Sequence, residues 1–283
     1  MKISLAMGFF DSVHIGHRQL IARNRDYALC HGLTPAVHTF SNDIGECFGS
    51  KQLYSFAERE ILLKNAGAAL IISDIFSDEV RNMDGKRFLD KLCSRYDIGA
   101  FFCGYDYTFG KDALYNASHL ADYARHNNVY CEILPPYKVD DIKVSTSRIK
   151  QLLSCGEVER ANELLGSPYT MHGLVVHGRG VGTGFGYPTA NIEHSGFLPK
   201  DGVYKTIVSV GDADYIAVTN IGAKPTFNIT STSVETMLIS FDGNLYDKEI
   251  TLKFIKYLRP ISKFRDGNEL NEQIQKDIKE ALC

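Results

Sequence analysis

The stretch Gly8-Phe9-Phe10-Asp11-Ser12-Val13-His14-Ile15-Gly16-His17 sets two imidazoles on either side of a glycine, directly after the apolar run that opens the chain. If that run is a strand and a helix begins near His14 or His17, both rings stand where free backbone N–H groups and the helix dipole favour an anion. Gly8 and Gly16 let a phosphate come close to the backbone, and Phe10 and Asp11 lie in the same turn. Two histidine donors there would neutralise charge building on an α-phosphate under attack, which is the electrostatic part of nucleotidyl transfer. A second stretch, Gly178-Arg179-Gly180-Val181-Gly182-Thr183-Gly184-Phe185-Gly186, has glycine at every other position and runs into Tyr187-Pro188-Thr189-Ala190-Asn191. It is neither a Walker loop nor a dinucleotide fingerprint. Its backbone amides, at Gly178, Gly180 and Gly186 above all, can still wrap phosphates because no side chain blocks the approach. Thr189 and Asn191 add a hydroxyl and an amide oxygen, hard ligands suited to Mg²⁺ bridging phosphates. Glu235 is the candidate base of a phosphoryl transfer, which needs a group to take the proton of the attacking hydroxyl. It sits on an apolar strand, Val234–Phe241, with Met237 and Ile239 on its face, so it either faces a ligand or is buried.

Those residues need elements to hold them. Through about residue 135, short apolar runs (Lys2–Met7, Thr34–Phe40, Ala69–Ile72, Gly99–Cys103, Val129–Leu134) alternate with helical patterns (Arg18–Leu29, Phe56–Asn65, Arg87–Arg95, Ala117–His126). Ser55 with Glu58 makes a capping box, Gly67 a stop, and Asn116 a cap. This rhythm predicts a doubly wound parallel sheet whose ligand crevice lies beyond the carboxyl ends of its strands. Helical patterns Ser147–Ser154 and Val158–Leu165 close the first half. After Ser167-Pro168 the texture turns to β: Leu174–His177, Tyr204–Val210, Tyr215–Thr219, Val234–Phe241 and Ile250–Tyr257, punctuated by Gly211-Asp212-Ala213-Asp214 and Asp242-Gly243-Asn244. That spacing predicts a small antiparallel barrel, with a last helix over Glu269–Leu282 against it. The predicted domains are 1–167 and 168–283.

Composition excludes several classes. The 283 residues suit two cores, and 44% apolar with 23% charged residues is ordinary globular usage. A net charge of −3 without a Lys/Arg-rich run offers no footprint for nucleic acid. No apolar run is long enough to span a membrane, and the opening run lacks a cleavage signal, which places the expected location in the cytoplasm. Seven scattered cysteines without CxxC spacing argue against a disulfide framework or a zinc site.

Taken together the motifs carry a resemblance. GFFDSVHIGH resembles the HxGH signature of the nucleotidyltransferase superfamily and, in its full form, the FAD synthetase half of the bifunctional bacterial riboflavin kinase/FAD synthetase family. Phe102–Gly110 is similar to that family's VGxDFRFG loop and Val144–Lys150 to its SSTxIR segment. In the second half, Gly186–Asn191 is like GFPTAN, Asn220–Phe227 like NIGxxPTF, and Val234-Glu235-Thr236 like the strand carrying its glutamate. Leu258-Arg259-Pro260 precedes the last helix as expected. The resemblance covers nearly the whole chain.

It implies an α/β nucleotidyltransferase-like (HxGH) domain, followed by a small antiparallel β-barrel riboflavin kinase domain with a C-terminal helix. His14 and His17 would engage ATP phosphates, with Ser145, Thr146, Ser147 and Lys150 lining the same site. Asp106, in the Gly104–Gly110 loop, would be a flavin- or metal-side polar group, with Gly104 beside it at the flavin. Thr189 and Asn191 would hold metal and nucleotide, and Glu235 would act as base. Implied substrates and products are riboflavin, FMN, FAD and ATP, with Mg²⁺ as cofactor; the oligomeric state is left open. Departures cluster in the first half. Lys150 replaces an arginine, giving a point charge without the planar fork. Ser12 stands at a usual glycine and Thr108 at a usual arginine, while Thr39-Phe40-Ser41-Asn42-Asp43 lacks the proline and histidine of TFxPHP. Thr183 stands at a usual arginine in the glycine run. Two other readings stay open: an active kinase joined to a weakened or silent adenylyltransferase, and a non-catalytic flavin- or nucleotide-binding regulator.

Overall fold

A computed structural model describes residues 1–45, 51–177, 189–194, 196–226 and 229–283, without the side chains of 223–231. The chain falls into two compact units, Met1–Thr146 and Ser147–Cys283.

The first unit runs β1 (Lys2–Met7), α1 (Ile15–Cys30), β2 (Thr34–Phe40), α2 (Phe56–Asn65), β3 (Leu70–Asp74), α3 (Asp78–Arg81), α4 (Gly85–Arg95) and β4 (Asp97–Gly104). It continues through β5 (Thr108–Phe109), β6 (Tyr115–Asn116), α5 (Ala117–His126), β7 (Tyr130–Leu134), β8 (Lys138–Val139) and β9 (Ile142–Lys143). The parallel sheet has the order β3-β2-β1-β4-β7. β1 is central and almost wholly buried, which is why it reads as an unbroken apolar run. The winding reverses on either side of β1, so its carboxyl end is the switch point at which such sheets bind ligands. One face packs Leu5, Met7, Phe88, Leu92 and Phe101, the other Ala6, Phe10, Leu20, Ile21 and Phe102. The Ser55–Glu58 capping box forms as expected, and Asn116 caps α5. Gly67 follows α2 at φ 114°, a conformation that favours glycine.

The second unit holds α6 (Thr146–Cys155), α7 (Val158–Leu165), β10 (Tyr169–Val176), β11 (Ala190–Glu193), β12 (Gly202–Val210), β13 (Ala213–Thr226), β14 (Ile229–Leu238), β15 (Glu249–Arg259) and α8 (Gly267–Leu282). Its strands close into an antiparallel barrel in the order β10-β11-β14-β13-β12-β15. Gly211, at φ 60°, and Asp212 make the two-residue turn between the paired residues Val210 and Ala213. Inside the barrel, Thr206, Thr219 and Thr236 form a buried hydroxyl chain with oxygens 2.7 and 2.8 Å apart.

The compact units divide earlier than residue 167. α7 belongs with the barrel because Asn162 donates to the Phe254 carbonyl (2.8 Å) and accepts from the Tyr169 N–H (2.7 Å). β11, the short strand after the glycine run, is absent from the predicted list, and β14 ends at Leu238 rather than Phe241, with Ser240 at φ 60° just beyond it.

α8 is held to β15 by a bidentate pair. Arg259 Nε and Nη2 donate to Asp277 at 2.8 and 2.7 Å, and Asp277 is 4% exposed. Asp277→Ala leaves a largely buried guanidinium unpaired and is expected to cost about 3 kcal/mol. Urea unfolding of the barrel unit at the wild-type midpoint would contradict this.

Candidate active sites

In the first unit, His14 is the N-cap of α1, and the His17 backbone N–H donates to its Nδ1 at 3.1 Å. That bond makes Nδ1 an acceptor, so the neutral His14 ring carries its proton on Nε2. The two rings stack with centroids 3.6 Å apart and planes 15° from parallel. Gly16 leaves close space between them: a Cβ there would lie 3.2 Å from His14 Cε1 and 3.1 Å from Tyr137 Cβ, so a larger residue would press on the imidazole. The Phe10 ring meets His17 edge-on at 5.1 Å, and His17 Nδ1 is buried with no hydrogen-bond partner among the described residues. Gly8 lies over Phe10, whose ring a Cβ at position 8 would strike at 2.8 Å.

Burial keeps both imidazoles uncharged at neutral pH. His14 is 6% exposed and is pushed down to about 4, with its backbone hydrogen bond and the Asp106 charge opposing only in part. His17 is held well below the ordinary imidazole value by burial and then by His14. The pair therefore presents neutral donors, and an arriving polyphosphate supplies the charge that would raise both. For a base whose folded value is depressed, the unfolded chain binds more protons, so the stabilisation is complete above pH ~6.5. It is lost as pH falls toward about 4. For His14 this amounts to on the order of 3 kcal/mol. His14→Asn keeps a cap acceptor and should flatten the pH dependence of the first unit's unfolding between those values; an unchanged slope would refute the assignment.

Asp11 is buried and its Oδ1 accepts from the Leu53 N–H at 2.8 Å, so it fastens the segment before α2 to the turn after β1. Ser12, in the place of a usual glycine, is buried and lies 2.8 Å, oxygen to oxygen, from Thr146. Ser145 precedes α6 directly; Thr146 opens it, and Ser147 and Lys150 lie on it within the second unit. Gly104 ends β4, and Asp106 follows with its carboxylate 2.8 Å from Lys143 Nζ. Lys143 also stands 4.7 Å over the Tyr105 ring. Thr108 is exposed on β5. Sequence reasoning missed Lys143, because its partner Asp106 lies 37 residues earlier and the β8–β9 hairpin brings the two together only in the fold.

In the second unit, Asn191 on β11 pairs with Glu235 on β14, which pairs in turn with Asn220 on β13. Residues directly opposite on antiparallel strands share a face, so these three side chains form one row. Ala190, Thr219 and Thr236 occupy the alternate positions and are buried inside the barrel. The row therefore lies on the barrel's outer face, with Asn191 buried and Glu235 half-buried. Thr189 sits immediately before β11 and is half-buried. The sequence signal for Asn220 was its place in the NIG run; register alone ties it to Glu235. Gly178, Gly180 and Gly186 lie outside the described residues, as do Arg179 and Thr183. No group of three or more His, Cys, Asp or Glu side chains suited to a metal occurs among the described residues. Two neutral oxygens at Thr189 and Asn191 fit an ion that takes most of its ligands from phosphate and water, as Mg²⁺ does.

The FAD synthetase family model matches residues 1–148 and the riboflavin kinase family model residues 165–282. The chain is 33% identical over 291 residues to the bifunctional riboflavin kinase/FMN adenylyltransferase of Bacillus subtilis (strain 168), covering 99% of this chain and 92% of the relative. It is 29% identical to the protein of the same name from Listeria monocytogenes, covering 96% and 89%. A crystal structure described as a macrolide-efflux protein from Streptococcus pneumoniae superposes with a TM-score of 0.90 at 28% identity, covering 99% of this chain and 94% of that one. Among the described residues no helix is long and apolar enough to cross a membrane.

Proposed function

We propose, for a chain that belongs to the bifunctional riboflavin kinase/FMN adenylyltransferase family, that its two activities reside in the two residue sets described above. The protein is a transferase that phosphorylates riboflavin to FMN and adenylylates FMN to FAD, using ATP in both steps. The observation that carries the assignment of residues is the stacked His14–His17 pair at the α1 N-terminus, sitting at the sheet's switch point.

In the adenylyltransferase, a phosphate oxygen of FMN attacks the α-phosphorus of ATP and pyrophosphate leaves. His14 and His17 donate to the oxygens on which charge grows, assisted by the backbone N–H groups of the first turn. Gly8, Phe10, Asp11 and Gly16 shape the turn that receives the triphosphate, and Ser145 and Thr146 offer hydroxyls to it. Ser147 and Lys150 join the site on resemblance alone. Gly104 and Asp106 border the flavin. In the kinase, the 5′-hydroxyl of riboflavin attacks the γ-phosphorus and ADP leaves, while Glu235 takes the hydroxyl proton. Thr189 and Asn191 would hold Mg²⁺ on the ATP, with Gly178, Gly180 and Gly186 around the phosphates. The ion would neutralise phosphate charge when bound. The functional boundary is proposed at 167/168, and the working location in the cytoplasm.

Incubation of the purified protein with riboflavin, ATP and Mg²⁺ should give FMN first and FAD after it, with ADP and pyrophosphate released in turn. FMN accumulating without FAD would leave only the kinase half of the proposal.

A further inference from the structure

Arg59, on α2, is the largest fully buried side chain among the described residues, at 0% exposure. Its Nη1 donates to the Phe9 carbonyl and to Thr39 Oγ1, both at 2.9 Å, and its Nη2 to the Phe40 carbonyl at 2.7 Å. Thr39 Oγ1 donates to the same Phe9 carbonyl at 2.7 Å. The guanidinium lies 4.7 Å from the centre of the Phe9 ring and 5.6 Å from that of Phe56. One cation thus ties together the carboxyl ends of β1 and β2, where the turn leading to His14 begins.

That turn is strained. Phe10 and Val13, both buried and neither glycine, have φ of 56° and 43°, conformations kept only when their surroundings over-determine them. Phe10 in turn sets its ring edge against His17. A continuous path runs from Arg59 through the Phe9 carbonyl to Phe10 and the imidazole pair. Arg59 is a poor choice for stability alone: its Nε is buried without a hydrogen-bond partner among the described residues, and a buried cation carries a desolvation penalty. Burial pushes it down to about 10, against the pull of Asp11 and Asp43, which still leaves it charged at neutral pH.

We propose that Arg59 is a positioning residue of the adenylyltransferase, fixing the strained Phe9–Val13 turn so that His14 and His17 stand in register with the α-phosphate at the transition state. This rests on the assignment of the two histidines to that site. The test measures FMN-to-FAD kcat and both KM values, together with riboflavin phosphorylation and the unfolding midpoint, on full-length Arg59→Met, Arg59→Lys, Thr39→Val and His17→Ala. Arg59→Met should lower kcat about 100-fold, the size of loss that a small misplacement causes. Both KM values and the kinase rate should stay at wild-type levels. Arg59→Lys should recover part of the loss, and Thr39→Val, which keeps the guanidinium but removes one anchor, should show a smaller fall in kcat without a change in KM. Wild-type kcat in Arg59→Met overturns the inference. So does a loss confined to a protein whose first unit has unfolded, with Thr39→Val folded and fully active. Wild-type FAD synthesis by His17→Ala would instead sink the site assignment beneath it.

Discussion

Replacing His17 with alanine should reduce FMN-to-FAD conversion by about 10²–10³-fold, the scale on which preorganised donors to a developing oxyanion act. Phosphorylation of riboflavin should continue at its normal rate. The fold should survive, because the helix cap does not use the His17 side chain: it is the His17 backbone N–H that bonds His14 Nδ1, and alanine keeps it. What disappears is one ring of the stacked pair and the edge contact with Phe10. The loss should fall on kcat more than on KM, since charge on the α-phosphate oxygens grows only as bonding to phosphorus changes. Paired assays of the two half-reactions on one preparation check this. A parallel fall in kinase rate, with the protein folded, would show that the histidines are not confined to one activity.

The mirror result is expected for Glu235→Gln. The amide has the shape of the carboxylate but cannot accept the proton of the attacking hydroxyl, so FMN formation should fall about 10²–10⁴-fold. The β11–β14–β13 ladder is made by backbone groups and should be unaffected, leaving Asn191 and Asn220 in register beside position 235. FAD formation from supplied FMN should be that of the wild type. Kinase activity persisting in Glu235→Gln would return the base assignment to the sequence pattern from which it came and require another proton acceptor.

How much of this was legible in the sequence depended on how local each feature is. His14, Gly16 and His17 lie within one turn, and a helix start after a buried strand follows from their immediate neighbours; the structure puts the cap at His14. The Ser55–Glu58 capping box is local in the same sense. Arg59 was invisible because an arginine within a helical pattern reads as a solvated face, and only the tertiary fold carries it to the ends of two strands. Lys143 was hidden in the same way, because its partner Asp106 is distant in sequence and only the fold brings the two together. β11 escaped detection because its four residues, Ala190–Glu193, follow a glycine run without an alternating pattern long enough to mark a strand. Its consequence was larger than its length, since the pairing of Asn191 with Glu235 is what joins two separate sequence motifs into one row. The face of Glu235 was undecidable from alternation alone: Met237 shares it and is buried, yet the row lies outside the barrel. α6 and α7 read correctly as helices, but the barrel strand that α7 packs against lies far beyond it in sequence.

The division of labour between the two units is tested most directly by complementation. His17→Ala and Glu235→Gln proteins, each folded, are supplied with riboflavin, ATP and Mg²⁺, separately and mixed. Alone, the first should stop at FMN and the second should leave riboflavin untouched, whereas the mixture should make FAD because FMN from one protein is adenylylated by the other. A mixture that forms no FAD, although the Glu235→Gln protein converts added FMN, would contradict two self-sufficient sites working through a freely exchanged FMN.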